Sequence, residues 1–252
     1  MSNAVVSCAA IQDVRWESWL ASSFNEELAI FRFSLTNRPD NMPAWQTLLQ
    51  SDEISRAYRY RRQEDYLRFI YSRSILRKLL GIYTSLEPDK IRFVVGSTNK
   101  PELQDNTDWF FNVSHSGDWV VLAIAKNCVG IDVERVDTGF CFDEVLLTSF
   151  TQEERYQVES SLDPRLLFYR FWTRKESLIK ATGKGIDDDF GQVPSADGIH
   201  HIASQLIGAT GEWVVRSFDI APDYVAAVSC LAELKTPKFY TLDSGLFNNF
   251  KS

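Results

Sequence analysis

Seven consecutive apolar residues, WVVLAIA at 119–125, form the longest uninterrupted apolar run in the chain. A membrane-crossing helix needs about 20 such residues, so the run is not a span. Its β-branched content suits a strand. The stretches around it read the same way: 27–35, KIRFVVGS at 90–97, WFFNVSHS at 109–116 and VGIDVERV at 129–136 are apolar or β-branched enough to be strands.

Helices are expected between and after them. One lies at 43–49 and a long basic one at 64–83, closing near Gly81. Another begins at TSFTQEERYQ, where Thr151 is an N-cap and Glu154, three residues on, completes a capping box. A fourth starts at Asp163-Pro164, as N-cap and N1, and stops at Gly183 in the C′ position. The N-terminus reads as an irregular, Trp-rich segment, and His200 and His201 fall in a predicted loop. This order of elements predicts an α+β fold with helices packed on small antiparallel sheets.

The apolar run has an echo. DWVVLAIA at 118–125 resembles DYVAAVSC at 223–230, and each follows a long helix and one or more strands. Two similar halves, 1–129 and 130–252, would account for it. The chain has 252 residues, 44% of them apolar, with seven Trp and seventeen Phe, enough for a packed core rather than global disorder. Four scattered cysteines without a CxxC pair point to free thiols in a reduced, cytosolic protein. No secretory signal is visible at the N-terminus.

A net charge of −7 argues against general nucleic-acid binding. Within this acidic chain, residues 56–78 hold eight Lys or Arg against two acids, which suits an anionic ligand or an acidic partner.

Three stretches carry candidate chemistry. In FWTRKESLIKATGKG at 171–185, Leu167, Phe168, Phe171, Leu178 and Ile179 gather on one helical face. Lys175 falls inside that face, while Glu176 and Lys180 flank it beside Trp172. A lysine among apolar neighbours requires an anion. In GIDVERVD, Asp132 and Glu134 are two apart in a strand, so both carboxylates leave one face. They read either as a pair for a divalent cation or as a polar strand end pairing with Arg135. FNVSHSGDW places Ser114 and His115 at a strand end, where both could hold a phosphate. It lacks the G-x-S-x-G of a nucleophile elbow. The GKG at 183–185 is not a P-loop, because Leu178 stands where the motif needs glycine.

In combination, NVSHS, GIDVE and FWTRKESLIKATGKG resemble the three motifs of the 4′-phosphopantetheinyl transferases: N-x-S-H-S, G-x-D-x-E and W-x-x-K-E-x-x-x-K, in the family's order. The double-length, surfactin-synthetase-activating type fits best. RYRRQEDYLRF and NKPEL resemble upstream motifs more loosely.

The resemblance implies a holo-acyl-carrier-protein synthase. It would transfer 4′-phosphopantetheine from coenzyme A to a serine of an acyl or peptidyl carrier protein, giving adenosine 3′,5′-bisphosphate. It implies two α/β halves about a pseudo-twofold with coenzyme A between them, a monomer, and neither a nucleic acid nor a membrane as partner. Asp132, Glu134 and Glu176 would hold Mg²⁺. Asp132, Glu176 and Lys180 would be catalytic, with Glu176 as base, directly or through a metal-bound water, and Lys180 neutralising the pyrophosphate. Coenzyme A would be bound by Arg56, Arg61, Arg62, Lys100, Ser114, His115, Lys175 and Lys180.

Two residues depart from the family pattern. Val133 cannot ligate, so a water would complete the metal shell, and Asn99 stands where glycine often precedes Lys-Pro. The rival functions are a metal-dependent phosphohydrolase using the same carboxylates and a non-catalytic carrier-binding module.

Overall fold

The computed structural model describes residues 3–19, 26–38, 42–96, 98, 100–104, 108–234 and 236–242. Twelve strands and six α-helices are found among them. The strands are β1 (Asn3–Ala10), β2 (Trp16–Ser18), β3 (Leu28–Ser34), β4 (Phe93–Val95), β5 (Pro101–Leu103), β6 (Phe110–Ser116), β7 (Trp119–Ala125), β8 (Val129–Arg135), β9 (Gly198–Ala203), β10 (Gly211–Ala221), β11 (Tyr224–Leu231) and β12 (Lys238–Thr241). The helices are α1 (Met42–Gln46), α2 (Ser51–Ala57), α3 (Gln63–Thr84), α4 (Asp143–Ser149), α5 (Gln152–Glu159) and α6 (Pro164–Thr182).

Two five-stranded sheets carry the fold, in the orders β2-β12-β3-β7-β6 and β8-β11-β10-β1-β9. Each contains the same unit. A strand (β3 or β8) precedes a long helix (α3 or α6), and a hairpin (β6-β7 or β10-β11) follows whose second strand pairs with the first strand of the unit. The two stretches of the sequence echo are β7 and β11, in equivalent places. The terminal strands cross between the sheets: β1 lies parallel to β10, and β12 lies parallel to β3.

The apolar patterning explains the layers. Phe31, Phe33, Val120, Leu122 and Ile124 face α3 through Ile75, Leu76, Leu79 and Leu80. Leu28, Ile30, Val121 and Ala123 face the other sheet through Ile131, Val133, Ala226 and Val228. The β7 run is buried on both faces, which is why it reads as continuously apolar. The α6 helix lies on the outer face of the second sheet, with Leu178 and Ile179 against Val6, Cys8 and Val215.

This contact requires Gly130. A Cβ there would sit 2.0 Å from the Ser177 carbonyl oxygen and 2.3 Å from the Ala181 nitrogen, both backbone atoms that cannot rotate away. Gly130→Ala is therefore expected to cost about 3 kcal/mol by overpacking, read as a lower urea midpoint with an unchanged slope. An unshifted midpoint would mean that α6 does not press on β8 here.

Several expectations need correction. The N-terminal segment is not irregular: β1 is a central strand, and its alternating Ala4, Val6 and Cys8 are buried. His200 and His201 are in β9, not a loop. The strand expected at 90–97 shrinks to β4, and the helix expected at 43–49 ends at Gln46. Capping chemistry reads more reliably. Thr151 and Glu154 form the capping box, Asp163 caps α6 through Leu166 N–H, and Gly183 ends α6 at φ +81°. Asn99 lies outside the described residues.

Candidate active site

The edge strands of the two sheets, β6 and β8, face each other without a backbone ladder. Alternate residues of β6 span the gap. The Asn112 side-chain oxygen accepts from Ile131 N–H at 2.9 Å, and Ser114 Oγ donates to Asp132 Oδ1 at 2.9 Å. Ser116 Oγ donates to Glu134 Oε2 at 2.9 Å. The period of two that puts Asp132 and Glu134 on one face of β8 thus meets the same period on β6.

From α6, Lys180 reaches this seam. Its Nζ lies 2.6 Å from Asp132 Oδ1, 3.4 Å from Ser114 Oγ and 3.9 Å from Glu176 Oε2. The spacing of Glu176 and Lys180, one turn apart, delivers both to the same place. Asp132 is 2% exposed, and its buried Oδ2 has no side-chain hydrogen-bond partner among the described residues. Burial raises its carboxyl pKa against the pull of Lys180 and Ser114. Burial, and then the charge of Asp132, pushes Glu134 up to about 7. Burial likewise raises Glu176, with Asp132 adding to the rise and Lys180 opposing it. Three carboxylates against one ammonium leave the site short of positive charge.

Among the described residues, no three His, Cys, Asp or Glu side chains are already gathered as a metal cage. The donor set nonetheless fits Mg²⁺, which takes one or two protein carboxylates and fills its shell with water and substrate phosphate. The orphaned Asp132 Oδ2 and the destabilised Glu134 anion are oxygen donors of that kind. Val133 points away, 1% exposed in the core between the sheets.

The Glu134 shift has a testable sign. Between about pH 4.5 and 7 the folded protein holds a proton that the unfolded chain releases, so stability falls as pH rises through that window. In EDTA, wild type is expected to match Glu134→Gln in thermal midpoint near pH 5 and to fall below it by pH 7.5. Parallel curves would contradict the shift.

Beside the seam lies a cavity of about 250 Å³ whose lining includes Arg56, Arg68, Phe69, Arg73, Asn112 and His115. His115 stands at its solvent-facing side, and its imidazole is pushed below the ordinary value by the surrounding protein and by Arg68. Arg68 and Arg73 were not singled out in the sequence, yet their signal was there. Asp65, Arg68, Phe69, Ser72, Arg73 and Leu76 recur at helical spacing and line this one cavity. Asn112 and Ser116 were equally legible from the alternation in β6.

Other expected ligand residues lie elsewhere. Arg61 and Arg62 are exposed before the first turn of α3 and do not line the cavity. Lys100 donates to the Val129 carbonyl at 2.8 Å in a neighbouring cavity with Cys128 and Thr182, and burial pulls it down to about 8. Ser114 faces Asp132 rather than open space.

Lys175 requires a correction. It is fully buried, 2.9 Å from Glu154 Oε2, and donates to the carbonyls of Gly191 (3.0 Å) and Val193. The anion that its place in the apolar face demands is the capping-box carboxylate of α5, not a ligand. Trp172 packs against Phe150, Phe168 and Phe190.

Two family models match the chain. One described as the 4′-phosphopantetheinyl transferase superfamily covers residues 128–229, and one described as 4′-phosphopantetheinyl transferase, N-terminal, covers residues 37–127. A Synechocystis sp. protein provisionally named a 4′-phosphopantetheinyl transferase is 36% identical over 195 residues, 75% of this chain and 78% of that one. The 4′-phosphopantetheinyl transferase HetI of Nostoc sp. is 32% identical over 169 residues, 64% of this chain and 71% of its own. The 4′-phosphopantetheinyl transferase Sfp of Bacillus subtilis is 26% identical over 201 residues, 79% of this chain and 88% of its own.

Proposed function

We infer the reaction from one premise: the chain belongs to the 4′-phosphopantetheinyl transferase superfamily. It transfers the 4′-phosphopantetheine arm of coenzyme A to a serine hydroxyl of a carrier protein and releases adenosine 3′,5′-bisphosphate. The observation that carries this reading is the contact of Lys180 with the buried Asp132 and Ser114 at the sheet seam, next to a cavity with three guanidinium groups.

The carrier serine oxygen forms a bond to the phosphorus bearing the pantetheine. The bond from that phosphorus to the bridging oxygen breaks, and the electron pair leaves with the nucleotide. Arg56, Arg68, Arg73 and His115 receive the nucleotide's anionic groups, and the planar Phe69 and Phe111 supply apolar wall. Lys180, held by Asp132 and Glu176, presents positive charge where negative charge builds on the leaving oxygen. Glu176 takes the serine proton on one carboxylate oxygen. Asp132, Glu134 and Glu176 would hold Mg²⁺, which supplies Lewis-acid neutralisation of the pyrophosphate.

Both sides of this cleft come from one chain, which supports a monomer. Among the described residues no helix is long and apolar enough to cross a membrane. Free Cys8, Cys128, Cys141 and Cys230 support a reducing, cytoplasmic setting.

The test is whether product release depends on the acceptor. Incubation with coenzyme A and Mg²⁺ should yield adenosine 3′,5′-bisphosphate only when apo carrier protein is added. Release without carrier would indicate a phosphohydrolase. Carrier binding without any release would indicate a non-catalytic module.

A further inference from the structure

The seam between β6 and β8 has three side-chain rungs. Asn112 accepts from a backbone amide, and Ser114 serves Asp132 and Lys180. The third rung, Ser116, has no part in the reaction described above. A serine hydroxyl has one proton to donate and lone pairs to accept with. Ser116 uses both: it donates to Glu134 Oε2 at 2.9 Å and accepts from Arg135 N–H at 3.0 Å. The Arg135 amide is fixed by the strand, so it aims the hydroxyl, and the hydroxyl in turn aims the carboxylate. Only Glu134 Oε2 is engaged, and no hydrogen bond to its other oxygen is found among the described residues.

Glu134 has particular need of such a guide. It lies near the end of β8 beside a second cavity, about 690 Å³, lined by Ser116, Gly117, Val136, Phe140, Tyr169 and other residues. A carboxylate there could swing into that space, away from Asp132. The turn that carries Ser116 is itself braced. Gly117 holds φ +52°, and Asp118 N–H donates to Tyr224 Oη at 3.4 Å.

We propose that Ser116 is a positioning residue for the transferase reaction: its hydroxyl, oriented by the Arg135 amide, holds the Glu134 carboxylate beside Asp132 in the conformation that receives a divalent cation. The proposal rests on the reading of Asp132 and Glu134 as cation ligands, so its test measures binding apart from turnover. Groups that orient a ligand typically contribute 10–100-fold to metal affinity.

Mn²⁺ is titrated, with coenzyme A present, into wild type, Ser116→Ala and Ser116→Thr, and free Mn²⁺ is read by electron paramagnetic resonance. Adenosine 3′,5′-bisphosphate binding is measured by calorimetry in EDTA, and thermal midpoints are recorded. Ser116→Ala is expected to weaken Mn²⁺ by about tenfold or more, with nucleotide affinity and midpoint close to wild type. Ser116→Thr, which keeps the hydroxyl, restores Mn²⁺ affinity. Unchanged Mn²⁺ affinity in Ser116→Ala would overturn the proposal. So would failure of threonine to rescue, or a fall in metal binding, nucleotide binding and midpoint together, which marks a merely structural serine. Wild type that binds no Mn²⁺ would overturn the cation reading itself, a result distinct from the others.

Discussion

Replacing Asp132 with asparagine is expected to lower the rate of phosphopantetheine transfer by about three orders of magnitude while leaving the fold intact. The carboxylate serves two ends at once. Its Oδ1 holds Lys180 at 2.6 Å and accepts from Ser114, and its Oδ2 is buried without a side-chain partner among the described residues, as an oxygen donor for the proposed cation would be. Asparagine keeps the shape but loses the charge that fixes Lys180 and the anionic donor that completes the site. Losing one preorganised electrostatic contact costs 10²–10³ in rate, and here two are lost together. Stability should change little. Lys180 is partly open to water and can solvate its ammonium once released, and burial already disfavours the Asp132 anion. Single-turnover transfer with circular dichroism as a folding control decides the matter. A near-wild-type rate would remove Asp132 from the chemistry.

Glu154→Ala is expected to have the opposite profile, a severe loss of stability with intact substrate recognition. Glu154 is 3% exposed, and its two oxygens take Lys175, the amide and hydroxyl of Ser195, and the amide and hydroxyl of Thr151. Removing it strands a fully buried ammonium, which costs about 3–5 kcal/mol. In a chain of this size that lowers Tm by roughly 6–20 °C. Lys175→Met should likewise destabilise, yet its KM for coenzyme A at permissive temperature should stay within about twofold of wild type, since the contact lies away from the arginine-lined cavity proposed to take the nucleotide. A large rise in KM with unchanged Tm would return Lys175 to the ligand.

These two residues mark what the sequence makes legible. Local chemistry reads well. The capping box at Thr151, the Asp163 cap, the Gly183 stop and the long α3 all follow from nearest-neighbour rules, and the alternation in β8 puts Asp132 and Glu134 on one face. Long-range pairing does not read. The β1 strand looks irregular in isolation because its partner, β10, lies some two hundred residues away, and only that pairing gives Ala4, Val6 and Cys8 a face to bury. The same limit explains Lys175. Helical projection correctly demands an anion for it, but a carboxylate of α5 and a ligand phosphate are equally good candidates until α5 is seen packed against α6. The arginines that line the cavity beside the seam are half legible: the basic run signals an anion, but only the spacing of Arg68 and Arg73 around Phe69 and Ser72 identifies which members face inward. Motif order carried the family assignment, because each motif alone is compatible with an ordinary strand end or helix.

The most direct measurement is the intact mass of an apo carrier protein after incubation with this chain, coenzyme A and Mg²⁺, followed by peptide mapping. A gain of one 4′-phosphopantetheine is expected, located on a single serine of the carrier and lost when Asp132→Asn replaces wild type. A carrier of unchanged mass, with coenzyme A cleaved or untouched, would contradict the proposed transfer.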